Sequence, residues 1–500
     1  MTAISGVDLA GPIPNNVGLA DKPELARGLG WFGAEFRKWW FDCGPAGIRD
    51  NEVYLRTPVG VDAGGWAQYG FVPLSQYRWG VFQAPASPGR LALFGDVAGR
   101  PVWQTLPDEH RVYVRKLLVT QGDTEPGSVE QSRRLAPTAP SLYDLRNLLQ
   151  FSVEEGRHLW AMVHLLLEHF GAEGRDAAEG LLARRSGSTD SPRILEAFNN
   201  PLEDWLSFFM WCFLADRDGK YQLLSVSESA FDPLARSTRF MLTEEAHHMF
   251  IGEDGLRRVI QRTIDLMREH DTDDVAPQGG INLATIQRFF NFWAPRIYDL
   301  FGNDESPRAA DAFFAGIKGR VHEANYGDHR HLDGAVTVER RAPGREGEFL
   351  AVQVPMREAL NGVMRQAYLN EVTMLMGRWN KLLSRAGTGT QLRLPSQRFN
   401  RNFGVYAGQR FSPQGERVDE AEFEARHGEW LPTAADRAHL EAIMQPVRGR
   451  GAIAGWLAAP ARGINSMPAL DFDYVRVWPN APRGAGPDRP LTPRPDGHIV

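Results

Sequence analysis

Two short words constrain this chain most. Glu155-Gly156-Arg157-His158 and Glu245-Ala246-His247-His248 both spell E-x-x-H, and each sits in a long stretch with apolar residues at helical spacing. On an α-helix, residues three apart share a face about 4.5 Å apart along the axis, so one metal ion can be gripped by both side chains. A single such pair arises by chance in many chains of this length. Two pairs, each inside an apolar helix, point to a mainly α bundle built around metal, in which two helices each give an E-x-x-H and two others each give a carboxylate.

The donor types suit iron. Oxygen ligands are hard, imidazole adds a borderline donor, and positions left open admit dioxygen. Four carboxylates would also balance two ferrous ions in an apolar core. The second word has a register ambiguity, because Glu244 and His247 also read E-x-x-H. The face of Glu245 and His248 includes Met241, Leu242, Met249 and Leu256, whereas the competing frame runs through Ser237 and Asp254, so Glu245 and His248 are expected as ligands.

Each pair needs one more carboxylate from a preceding helix. Asp123, Glu125 and Glu130 stand upstream of Glu155, and Asp216 closes the apolar run WLSFFMWCFLA upstream of Glu245. Glu125 precedes Glu155 by 30 residues and Asp216 precedes Glu245 by 29, a near-symmetry that favours Glu125 and Asp216. A helix-ending role for Asp216 is the competing reading. Gly122, Pro126 and Gly127 are expected to kink or bulge the Glu125 helix. Gln121, four residues before Glu125, is the candidate catalytic residue, its amide expected to face the same cavity.

The remaining organisation follows from periodicity. A helix is expected over Lys22 to Phe41, then strands and loops over 52–95. Ser141 to Asp144 resembles a capping box opening a core helix that Gly171 closes. Further helices are expected over Pro192 to Ala215, Asp232 to His270, Asn282 to Leu300 and Met356 to Ser384, with a hairpin over 335–355. The domains read as 1–105, an N-terminal helix and strand/loop cover; 106–275, the di-iron four-helix core; 276–477, additional helices and a hairpin enclosing a substrate channel; and 478–500, an extended or disordered tail. Gly28, Gly30 and Gly33 match G-x-G-x-x-G, but the preceding DKPELAR reads as helix rather than strand, which argues against a dinucleotide fingerprint.

Composition excludes several classes. A net charge of -6 and a pI near 6.1 give no basic field for nucleic acid. Even the run Trp205 to Ala215 meets Asp216, Arg217 and Asp218 before reaching spanning length, so no membrane helix is expected. The first residues lack a basic start followed by an apolar stretch, and with only Cys43 and Cys212 there is no disulfide framework; both features suit a cytoplasmic protein. Two cysteines cannot supply the four thiolates of a common iron–sulfur cluster.

At these residues the chain resembles the benzoyl-CoA 2,3-epoxidase family. The matching stretches are LLVTQGDTEPGSVEQ, APSLYDLRNLLQFSVEEGRHLWAMVHLL, NNPLEDWLSFFMWCFLADRDGKYQL and ARSTRFMLTEEAHHMFIG, and the similarity runs from IPNNVGLA to about residue 475. The resemblance implies a ferritin-like di-iron helical bundle core with additional helices and short β hairpins, and two iron ions on Glu125, Glu155, His158, Asp216, Glu245 and His248. It further implies insertion of one oxygen atom of dioxygen into the ring of benzoyl-CoA. Electrons would come from a separate flavin and iron–sulfur reductase using NADPH, with no flavin or nicotinamide bound in this chain. Arg398 and Arg401 are candidates for the coenzyme A phosphates. The rivals are an epoxidase of the phenylacetyl-CoA type, a ribonucleotide reductase radical subunit, which needs a tyrosine beside the irons (Tyr221 being nearest), and a non-catalytic iron-binding bundle.

Overall fold

The computed structural model describes residues 13–45, 52–55, 70–74, 77–345, 347–447, 449, 451–462 and 475–476. The expected tail, and the part of the expected strand region over 56–69, lie outside them. The described residues are mainly helical with minor β structure, and none of their helices is long and apolar enough to cross a membrane. They fall into two compact units, each drawn from separated parts of the chain.

The first unit comprises Met1–Gln83, Arg115–Phe208 and Leu440–Val500. Helix α1 (Pro23–Cys43) turns Leu25, Leu29, Phe32 and Phe36 inward. The whole G-x-G-x-x-G lies inside it, and a Cβ at Gly33 would stand 3.0 Å from the Trp160 ring, so this glycine serves close helix packing. Strand β1 (Glu52–Leu55) pairs antiparallel with β2 (Gly70–Pro73) and with β5 (Val475–Arg476). Helices α2 (Arg111–Ser132) and α3 (Leu142–Ala183) run antiparallel: Gly122 lies against Met162 and Glu125 against His158. The α2 helix continues through Pro126. Ser141 caps α3, its hydroxyl accepting the Asp144 amide at 3.1 Å. Gly171 does not close α3 as expected. Its backbone, at φ 57, ψ -128, breaks the helical path, and helical turns then resume to Ala183, so the glycine makes a kink.

The second unit comprises Ala84–Val114 and Phe209–His439. It takes up α4 (Trp205–Val226) after its first turn, then holds α5 (Asp232–His270), α6 (Leu283–Leu300) and α7 (Pro307–Phe314). The expected hairpin follows as β3 (Ala335–Arg341) and β4 (Phe349–Pro355), then α8 (Leu360–Arg385), α9 (Glu420–Trp430) and most of α10 (Ala434–Ile443). The α4 boundaries correct the expected Pro192 to Ala215. Residues 192–204 carry only a 3-10 turn at Glu196–Asn199, the helix starts after Asp204, and Asp216 lies in its interior. Helix α8 packs on α4, the Tyr368 hydroxyl donating to the Leu214 carbonyl at 3.2 Å and Arg217 pairing with Glu371 at 3.0 Å.

Helices α4 and α5 approach backbone to backbone. A Cβ at Gly252 would stand 2.1 Å from the Phe213 nitrogen and 2.5 Å from the Cys212 carbonyl carbon. Overpacking of a core usually costs about 1–3 kcal/mol, and here the obstacle is main chain that no rotamer change relieves. Gly252→Ala is therefore expected to destabilise by about 3 kcal/mol or more, read as a lowered denaturant midpoint. An unchanged midpoint would refute so close a helix contact.

Candidate metal centre

In the first unit, the antiparallel register of α2 and α3 brings Glu125 level with His158. The ligand atoms of Glu125, Glu155 and His158 lie within 4.8 Å of one another, and all three residues are buried. His158 Nδ1 is 3.5 Å from a Glu125 carboxylate oxygen and 3.9 Å from one of Glu155. Burial would push the Glu125 carboxyl up, but hydrogen bonds to His158, Glu155 and Gln121 hold it below its ordinary value. The Gln121 amide donates to Glu125 Oε1 at 2.9 Å, so this side chain braces the carboxylate.

The structure also separates Glu125 from its two neighbours in sequence. Arg193, fully buried, binds Asp123 at 3.1 Å and Glu130 at 2.9 Å; the Ile194 amide adds a 2.6 Å bond to Asp123 and the Trp39 indole a 2.9 Å bond to Glu130. Both carboxylates are thereby committed to a buried ion cluster, and Glu125 alone of the three meets the histidine. The sequence reading passed over Arg193, which stands some seventy residues from its partners.

The second unit repeats the arrangement. Glu245 Oε2 lies 3.6 Å from His248 Nδ1 one turn along α5. A Cβ at Gly219 would stand 3.9 Å from both Glu245 carboxylate oxygens, which places Gly219 of α4 opposite Glu245 as Phe213 is opposite Gly252. That register sets Asp216 level with His248, the same relation Glu125 has to His158. Asp216 and Glu245 are buried, His248 is fully buried, and His247 is partly exposed. Beside them, burial pushes the Asp218 carboxyl up to about 7 against the opposing pull of Gln222 and Lys318, with Glu245 raising it further.

The first set is two carboxylates and one imidazole in a buried place, the second unit offers the Glu245–His248 pair with Asp216 level with the histidine by register, and neither includes a thiolate. This fits a hard divalent ion such as ferrous iron. Where the Glu125 and Glu155 carboxylates come together beside His158, a bound cation would compensate their charge.

The other sequence candidates are occupied elsewhere. Arg401 is buried, with its guanidinium held by Asp299 and, at 2.8 Å, by the Gln397 carbonyl, so it is not free for a phosphate. Arg398 binds Glu339 and, with Arg365 and Arg393, lines a polar cavity of about 1240 Å³ in the second unit. Tyr221 gives its hydroxyl to Glu371 at 2.9 Å and to the Ala367 carbonyl.

No family model matches the chain. Benzoyl-CoA oxygenase component B of Aromatoleum evansii is 48% identical to it over 467 residues, which span 93% of this chain and 98% of that protein. Likeness of that degree along nearly the whole of both chains places this one in the benzoyl-CoA oxygenase component B family.

Proposed function

We propose that the two carboxylate–histidine sets together hold one dinuclear iron centre, with Glu125, Glu155, His158, Asp216, Glu245 and His248 as ligands in a ferritin-like core of α2 to α5, and that the enzyme epoxidises the ring of benzoyl-CoA at the 2,3 bond. The observation that carries this reading is the repetition of one geometry. In each unit an antiparallel helix pair sets a lone carboxylate of the first helix level with the histidine of an E-x-x-H on the second. Two such pairs are the halves of a di-iron carboxylate bundle.

Bound iron would supply reductive activation of dioxygen and transfer of one oxygen atom to the ring, the other leaving as water. The chain's own residues do the rest. Gln121 orients Glu125 through its amide, and the apolar helices around both sets keep bulk water from the reaction. The relative's name, together with 48% identity, supports benzoyl-CoA as the thioester, and the word component supports a separate partner protein, to which this reading assigns the supply of electrons from NADPH.

The test is anaerobic loading with ferrous iron, then turnover with dioxygen and a reductase on benzoyl-CoA and phenylacetyl-CoA side by side. Two irons per chain and a benzoyl-CoA epoxide are expected. Preference for phenylacetyl-CoA would overturn the substrate, and iron uptake with no product from either thioester would leave a non-catalytic iron bundle.

A further inference from the structure

The first unit contains an aromatic assembly that the oxygenase reading does not use. The Trp79 indole meets α3 through its nitrogen edge, the nitrogen donating to the Val153 carbonyl at 3.0 Å. A Cβ at Gly156 would stand 2.4 Å from that nitrogen, so the ring rests on the residue that directly follows Glu155 and precedes His158 by two. From Trp79 the ring centroids step 4.4 Å to Trp40 and 6.4 Å on to Trp39, with Tyr77 4.9 Å to one side. Trp79 and Trp40 keep slivers of surface, 7% and 6% exposed.

Packing alone asks for apolar bulk, which leucine or phenylalanine would supply. Here three indoles and a phenol, the side chains most easily oxidised after thiols, form a contact chain that starts one helix thickness, about 10–12 Å, or less from two ligands and touches the surface only through the slivers of Trp79 and Trp40, while Trp39 and Tyr77 are buried. We infer that Trp79, Trp40, Trp39 and Tyr77 form an electron relay that rescues the centre when it has activated dioxygen with no ring to oxidise. This rests on the iron-oxygenase reading above.

The step balances as follows. Iron bound there would be left two electrons short of its resting state with one oxygen atom still to be released, the other having left as water with two protons. Trp79 gives one electron and is refilled from Trp40, or from Tyr77, which releases its phenolic proton with the electron. Two such transfers with two protons release the oxygen atom as water. Two molecules of a small cellular thiol at the surface provide the two electrons and two protons as they join in a disulfide.

The experiment uses the full chain loaded with iron, chemically reduced and exposed repeatedly to dioxygen without any aryl thioester, with and without glutathione. Without the thiol, peptide mass mapping is expected to find added oxygen on Trp40 and Trp39, and freeze-quench electron paramagnetic resonance a transient indolyl or tyrosyl radical. Glutathione should suppress both. In Trp79→Phe, which keeps a ring on Gly156, the marks should leave Trp40 and Trp39 and appear on His158 or its neighbours, and iron should be lost in several-fold fewer cycles. Trp40→Phe, a second break, should confine oxidation to Trp79 and Tyr77. Identical oxidation maps and iron retention in the wild type and both variants would overturn the relay while leaving the metal centre intact. Failure of the wild type to bind iron would overturn the metal reading and the relay with it.

Discussion

Replacing His158 or His248 by alanine is expected to abolish stoichiometric iron binding and oxygenase activity together. Each imidazole is wholly buried and stands within 4 Å of a carboxylate on its own helix. In the proposed centre, removing it would take the imidazole donor from one iron and leave that iron's carboxylates without their partner. Loss of a mere outer partner of a metal ligand typically costs about 10–100-fold in affinity, so loss of the ligand itself should exceed that. Metal analysis after gel filtration, run beside product assays, reads both effects. His247→Ala is the control, since its ring is partly exposed one position along α5, and should keep most of its iron. Full iron in both His158→Ala and His248→Ala would exclude this ligand set, and equal losses in His247→Ala and His248→Ala would move the register to Glu244 and His247.

The sequence carried the ligand helices well because their signals are local. The E-x-x-H words, the Ser141 cap and the apolar phase of Asp232 to His270 depend only on residues a few turns apart, and α5 occupies the expected span. The misreadings lie where distant residues decide. Asp216-Arg217-Asp218 looked like the polar end of an apolar helix, yet α4 runs on because Arg217 is taken up by Glu371 and Asp218 by Gln222. The helix expected from Pro192 fails because that segment is held by other means: Arg193 reaches back to Asp123 and Glu130, and Asp204 caps the later start through Ser207. One signal was available and unused. Asp123 and Glu130 are seven residues apart and share a helix face, whereas Glu125 falls about 200° away, so helical phase alone separates the ligand candidate from the two members of the ion cluster.

The largest kinetic effect concerns electrons. With NADPH, dioxygen and benzoyl-CoA, the purified iron-loaded chain is expected to show no turnover until a reductase is added, whereas chemically reduced enzyme should complete one round of epoxidation unaided. Hydride transfer from a nicotinamide needs a dinucleotide site and a flavin, and single-electron delivery usually needs a flavin or a cluster close by. The one glycine word that resembles a dinucleotide fingerprint lies wholly within α1, where Gly33 meets the Trp160 ring instead of opening a turn between strand and helix. Cys43 and Cys212, both buried and neither in a disulfide, belong to different units. One turnover consumes two electrons, the number that two ferrous ions store, so a single round requires no partner and a second round does. Sustained turnover on NADPH alone, in a preparation free of flavoprotein, would place a cofactor site in this chain and overturn the division of labour.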